Sequence, residues 1–174
     1  HFDEYLESDD FLTRLEKNEF NGKVNAIFHM GACSDTTEMD RAYLKQNNSG
    51  YSERIASWCL NKDVYLCYAS SAATYGDGAL GFSDRDDLTP KLKPLNPYGQ
   101  SKLDFDNWVL KNGYERKLVG IRFFNVYGPN EYHKGSMSSM AHKGFEQVMN
   151  EGKLRLFRSY VKEFYLSILL NRQH

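Results

Sequence analysis

Paired cysteines, an excess of charge, a long apolar run and a glycine-rich turn are all missing from this sequence. The three cysteines, Cys33, Cys59 and Cys67, are odd in number and show no Cys-x-x-Cys spacing. They indicate neither a disulfide framework nor a zinc site, and a reduced, cytoplasmic compartment is expected. With 22 Lys+Arg against 23 Asp+Glu the formal net charge is −1, which leaves no electrostatic footprint for nucleic acid or an anionic membrane. The apolar stretch Tyr165-Leu166-Ser167-Ile168-Leu169-Leu170 falls far short of the roughly 20 residues that span a bilayer, and no signal peptide opens the chain. No glycine-rich strand-turn-helix precedes the first clear strand, and the chain opens on His1, so further sequence is expected before it.

What is present is enough for one domain: 174 residues, of which 41% are hydrophobic. Phe11, Leu12 and Leu15 form the apolar face of a short helix that Ser8 or Asp9 can cap. Residues 24–30 read as a strand running into Gly31-Ala32-Cys33-Ser34, where small residues let another molecule approach the backbone. A plain strand-to-loop turn explains the same residues equally well. A long helical pattern from Thr36 or Thr37 is interrupted by Asn47-Asn48-Ser49-Gly50, which weakens a helix interior. Asn47 is therefore either a hydrogen-bonding group for a ligand or part of a tolerated kink. Residues 64–69 form an apolar strand expected to be buried on both faces. It delivers Ser71 and Thr74 to its C-terminal end, the place where open parallel sheets bind ligands. Residues 77–95 read as a surface loop. Residues 117–124 give a third strand, and a last helix is expected from Ser136 to a stop at Gly152. Strands alternate with helices throughout, so the fold class is α/β with a mainly parallel sheet, and Gly31, Ser71 and Asn125 fall on one sheet edge.

The stretch Asn96-Pro97-Tyr98-Gly99-Gln100-Ser101-Lys102 organises the chain. Asn96 is a good N-cap and Pro97 suits a first helical turn, so Tyr98 and Lys102 lie on one helix face. A cation beside a phenol favours the phenolate, which is what removing a proton from a sugar hydroxyl needs. The spacing alone fits a half-buried aromatic and a solvated lysine better; its neighbours change that balance.

Taken together, Gly31-Ala32-Cys33, the Asn47-x-x-Gly50 helix, Ser70-Ser71-Ala72, Tyr98-x-x-x-Lys102 and Arg122-Phe123-Phe124-Asn125-Val126-Tyr127-Gly128-Pro129 resemble the extended short-chain dehydrogenase/reductase superfamily of nucleotide-sugar enzymes. Within it, Ile27-Phe28-His29, Thr36-Thr37-Glu38, residues 68–76 and especially His133-Lys134-Gly135-Ser136-Met137 resemble the ADP-heptose 6-epimerases. The resemblance covers residues 9–157. It implies a Rossmann-like, doubly wound parallel sheet, truncated at its N-terminal nucleotide-binding strand and lacking a C-terminal substrate domain. Residues 1–157 would be part of an NAD(P)-binding domain and residues 158–174 an atypical tail. It also implies NADP, with NAD possible, as cofactor, a nucleotide-sugar substrate and a homo-oligomer.

By the same resemblance Tyr98 is one acid/base. Lys102 favours its deprotonated form and holds the nicotinamide ribose, and Ser71 orients the reacting oxygen. Lys134 is the second acid/base; from spacing alone it would be a solvated loop lysine. Gly31, Ala32, Asn47 and Val126 line the cofactor, while Asn125 and Ser136 touch the substrate. Three departures stand out: the Gly-x-x-Gly-x-x-Gly turn is absent, a histidine of the family falls on Lys143 with His142 one position early, and the region after Phe157 matches nothing in the family. A UDP-sugar 4-epimerase, a nucleotide-sugar dehydratase or an inactive fragment is the alternative; Ala72 and Ala73 stand where dehydratases usually carry an acid.

Overall fold

The computed structural model describes residues 3–155; the proposed boundary at 157 and the 158–174 tail lie outside them. The described residues form two units, divided between Phe124 and Asn125. In the first, α1 (Ser8–Glu16) precedes β1 (Ala26–His29), α2 (Arg41–Leu44), α3 (Tyr51–Lys62), β2 (Tyr65–Ser71), α4 (Pro97–Lys111) and β3 (Leu118–Phe123). The N-cap of α1 is Glu7, without a side-chain bond, rather than Ser8 or Asp9. The loop between β2 and α4 is anchored by a short 3₁₀ turn, Thr89–Lys91, whose Thr89 is buried.

The three strands form one parallel sheet in the order β1-β2-β3, with Ile27 opposite Leu66 and Tyr68 opposite Gly120. Strands added in sequence in one direction, each by a right-handed crossover, place their connecting helices on the same face. Leu12 and Leu15 of α1, Ile55, Ala56 and Cys59 of α3, and Phe105 and Val109 of α4 accordingly pack with Leu66, Tyr68 and Leu118 in one core. Each such buried aliphatic side chain contributes about 1.5–3 kcal/mol.

The opposite face is open. Phe28, Val119, Ile121 and Phe123 are 74%, 59%, 40% and 38% exposed. The expectation that β2 is buried on both faces is therefore corrected: its burial alternates, with Leu66, Tyr68 and Ser70 inward. An apolar run of this length shows how far a strand can be buried, whereas the number of covered faces depends on where the helices return.

The polar interruption at residues 45–50 is a π-helical turn, Lys45–Gly50, between α2 and α3. The helix there begins later than expected, at Arg41, because the Asp40 side chain accepts from the backbone N–H groups of Ala42 and Tyr43. In the second unit a 3₁₀ segment, Tyr132–Met137, precedes α5 (Met140–Glu151). This last helix starts at Met140 rather than Ser136, because Ser139 caps it by accepting from His142 N–H at 3.1 Å. Among the described residues no helix is long and apolar enough to cross a membrane.

Candidate functional site

The first turn of α4 forms as its sequence suggests. The Asn96 side-chain oxygen accepts from Gly99 N–H at 2.7 Å, Pro97 occupies the first turn, and Asn96 Nδ2 donates to the Thr36 carbonyl at 3.2 Å. Gly99 is needed for close approach: a Cβ there would lie 2.7 Å from the Ala73 carbonyl oxygen. This contact seats the helix start on the turn Ala72–Tyr75, where Ser71 is the cap and its Oγ accepts from Ala73 N–H at 3.1 Å. Lys102 is buried, and its ammonium donates to the Ala69 carbonyl at 3.1 Å, two residues before Ser71. Lys102 and Ser71 thus lie at the C-terminal end of β2, with the first turn of α4, which carries Tyr98, seated beside them. Thr74 does not join them; it is fully buried and donates its hydroxyl to the Ser71 carbonyl, so it holds the turn.

Gly31, Ala32 and Asn47 line a common cavity of about 620 Å³ at the end of β1, together with Cys33, His29 and Tyr43. Gly31 has nothing within 4 Å of the position a Cβ would take, which leaves its backbone open to an approaching molecule. Asn47 Nδ2 donates to the Tyr43 carbonyl at 2.9 Å.

Sequence reasoning singled out Asn47 and missed its neighbour. Asn48 is buried and bonds both polar groups of the Cys33 backbone, accepting from N–H at 2.9 Å and donating to the carbonyl at 3.2 Å. It also donates to Ser101 Oγ at 2.9 Å, and Ser101 in turn donates to the Tyr98 carbonyl at 2.7 Å. One side chain therefore ties the loop after β1 and the π-helical turn to the helix that carries Tyr98 and Lys102. The signal was the doubled asparagine in a helical pattern, since a π-turn changes which side chain faces inward.

A second missed group is Asp106, one turn beyond Lys102. Its Oδ2 accepts from Ser70 Oγ at 2.8 Å and from Arg122 Nε and Nη2 at 3.2 and 3.1 Å. Arg122 also donates to Thr89 Oγ1 at 2.8 Å and lies over the Tyr75 ring. Burial pushes the Asp106 carboxyl up from its ordinary range, with Arg122 and Ser70 opposing. Burial likewise pulls the Lys102 ammonium down, against the pull of Asp106 and Cys33. His29, hydrogen-bonded to Ser52 Oγ at 2.8 Å, is lowered to about 4 by burial and by Lys102. Asp106 and Arg122 also line a cavity of about 650 Å³ that contains none of the residues expected to act.

Asn125, Val126, Lys134 and Ser136 belong to the second unit. Asn125 and Val126 are exposed, and Lys134 has 40% of its side chain exposed. Buried Glu131 organises this segment: its carboxylate accepts from Gly128 N–H at 2.9 Å, from Ser139 N–H at 2.7 Å and from Ser139 Oγ at 2.9 Å, with Lys134 Nζ at 3.9 Å. The backbone N–H groups of Ser139 and Gly128 hold its pKa down at about 2.

A parallel α/β sheet with a tyrosine and a lysine on one helix beside a strand-end serine defines an open-sheet protein, a class in which ligands generally bind outside the carboxyl ends of the strands. The chain belongs to the NAD dependent epimerase/dehydratase family, whose profile matches residues 9–162. It is 47% identical over 156 residues to an ADP-L-glycero-D-manno-heptose-6-epimerase of Nitratidesulfovibrio vulgaris Hildenborough, covering 90% of this chain and 48% of that protein. A protein of the same name from Fusobacterium nucleatum is 44% identical over 166 residues, 92% of this chain and 49% of its own. The crystal structure of the Helicobacter pylori ADP-L-glycero-D-manno-heptose-6-epimerase superposes with a TM-score of 0.68 at 33% identity, covering 84% of this chain and 45% of that one. The chain thus spans about half the length of the curated relatives it matches.

Proposed function

We propose that this chain is part of an enzyme converting ADP-D-glycero-D-manno-heptose to ADP-L-glycero-D-manno-heptose, which supplies the heptose of the lipopolysaccharide core. The observation that carries the reading is the placing of Lys102 and Ser71 at one strand end, beside the helix turn that carries Tyr98, in a chain 47% identical to proteins of that name. Inversion at C6 requires the C6–H bond to break with its electron pair while the hydroxyl loses a proton. The resulting ketone then regains both, with hydrogen delivered to the opposite face.

NADP is the cofactor we assign, in preference to NAD. When bound, it would supply a hydride acceptor and donor, so no net oxidation would occur. The residues present fit part of such a cofactor: Gly31, Ala32 and Asn47 line an open cavity of about 620 Å³, and Lys102, which interacts with His29 and Cys33 of that lining, would hold the ribose. Val126 is a further cofactor contact in our reading. Ser71 orients the reacting oxygen, Tyr98 moves its proton in one sugar orientation and Lys134 in the other, and Asn125 and Ser136 hold the sugar. Positioned acid/base groups of this kind typically contribute about 10²–10⁴-fold.

The test is NMR of the heptose C6 centre after incubation with full-length enzyme carrying this chain, with UDP-galactose in parallel. Tyr98→Phe and Lys134→Met are each expected to lower kcat by roughly 10²-fold or more. Unchanged epimerisation in both variants would sink the residue assignment; turnover of UDP-galactose alone would move the substrate. Saturation at lower concentrations of NAD than of NADP would reverse the cofactor preference.

A further inference from the structure

Lys102 is an ammonium in an unusual setting. It is 8% exposed, and its described hydrogen bond is to a neutral carbonyl. A buried cation without a counter-charge gives up its proton or its position. The groups facing it are His29 from β1, Cys33 from the loop after β1 and Asp106 from α4 itself, with Tyr98 one turn earlier on the same helix face. Asp106 is the carboxylate among them, one turn along the same helix, at the spacing where side chains are neighbours.

We propose that Asp106 is a positioning residue for Lys102: its carboxylate, fixed by Arg122 and Ser70, supplies the buried negative charge that keeps the ammonium against the Ala69 carbonyl. The register of the two anchors supports this. Lys102 bonds Ala69 and Asp106 bonds Ser70, consecutive residues of β2, so one turn of α4 is stitched to one step of the strand. Asp106 stays ionised because a guanidinium cannot give up its proton. A neutral acid opposite it would leave Arg122 as an uncompensated buried cation, its side chain being 12% exposed. Charges then alternate from Arg122 through Asp106 to Lys102, which ties β3 to a residue we assign to the reaction. The proposal rests on the reading in which Lys102 serves the reaction.

The experiment is a pH titration of the full chain carrying ¹³Cε-labelled lysine, with the Lys102 signal assigned by its loss in Lys102→Met. Asp106→Asn is expected to move the Lys102 midpoint to lower pH. Should Asp106→Asn fail to fold, Ser70→Ala, which loosens the carboxylate while keeping both charges, is expected to give a smaller shift of the same sign. A Lys102 midpoint unmoved in Asp106→Asn or, should that variant not fold, in Ser70→Ala overturns the proposal. The midpoint is read without turnover, so a failure of the epimerase reading, seen as inactive full-length enzyme, leaves this coupling standing and is told apart from it.

Discussion

Asp106 and Glu131 are both buried acids placed near a lysine that we assign to the reaction, and the two units of the chain accommodate them in opposite ways. Asp106 is held by side chains, with Ser70 and Arg122 converging on one oxygen. Glu131 is held mainly by backbone, with both of its oxygens taking N–H or hydroxyl bonds from the ends of its own loop. Burial pushes Asp106 up, whereas the amides of Gly128 and Ser139 pull Glu131 down to about 2. Backbone donors stabilise an anion without introducing a second charge. An arginine partner must itself be desolvated and then depends on its acid.

The largest expected effect comes from breaking the arginine partnership. Arg122→Met should lower the stability of the chain by about 3–5 kcal/mol, as should Asp106→Ala, because each leaves one buried charge alone. Urea unfolding followed by circular dichroism measures this. The double variant Asp106→Leu with Arg122→Met should recover most of the loss, since two apolar side chains can replace a buried pair. Additive losses would show that packing, and not charge, holds α4 to β3.

A smaller effect separates the groups around Lys102 by pH. His29 is a base whose folded value, about 4, lies below its ordinary 6.5. The unfolded chain therefore binds the proton more readily, so this contribution is present above pH 6.5 and lost as pH falls through 4. It amounts to about 3 kcal/mol. His29→Gln should flatten the loss of stability between pH 6.5 and 4 seen by urea unfolding; an unchanged slope would put the titrating group elsewhere. Asp106 has the reverse sign. Raised above its ordinary 3.8, it contributes most below that value, and the contribution is lost as pH rises through its folded value.

Much of the first unit was legible because its signals are local. Asn96, Pro97 and the four-residue step from Tyr98 to Lys102 specify a capped helix and a shared face without reference to the rest of the fold, and the parallel strands follow from apolar runs between helical patterns. The features that were not legible depend on partners distant in sequence. Which of Asn47 and Asn48 turns inward depends on a π-turn that shifts the phase of the helix. The open face beside Phe28 and Val119 depends on the side to which the helices return. Asp106 did leave a trace, a carboxylate between Phe105 and Val109, both buried in the core. Nothing in that pattern identifies Arg122 and Ser70 as its partners, because they arrive from β3 and from the end of β2.

Glu131 offers the mildest break of the comparison and the most local one. Glu131→Gln preserves shape but replaces one accepting oxygen by an NH₂ group. The native carboxylate uses one oxygen for Gly128 N–H and Ser139 Oγ and the other for Ser139 N–H. A glutamine can therefore serve only one of the two backbone donors and must face the other with a donor of its own. Amide hydrogen exchange should accelerate at Gly128 or Ser139, while the amides of α4 and β2 keep their protection. Being depressed from 4.5 to about 2, the wild-type carboxylate adds stability above pH 4.5 that is lost as pH falls through 2. The variant should lack that acid step, and the retention of slow exchange at both amides would show that the Lys134 loop is held by something other than Glu131.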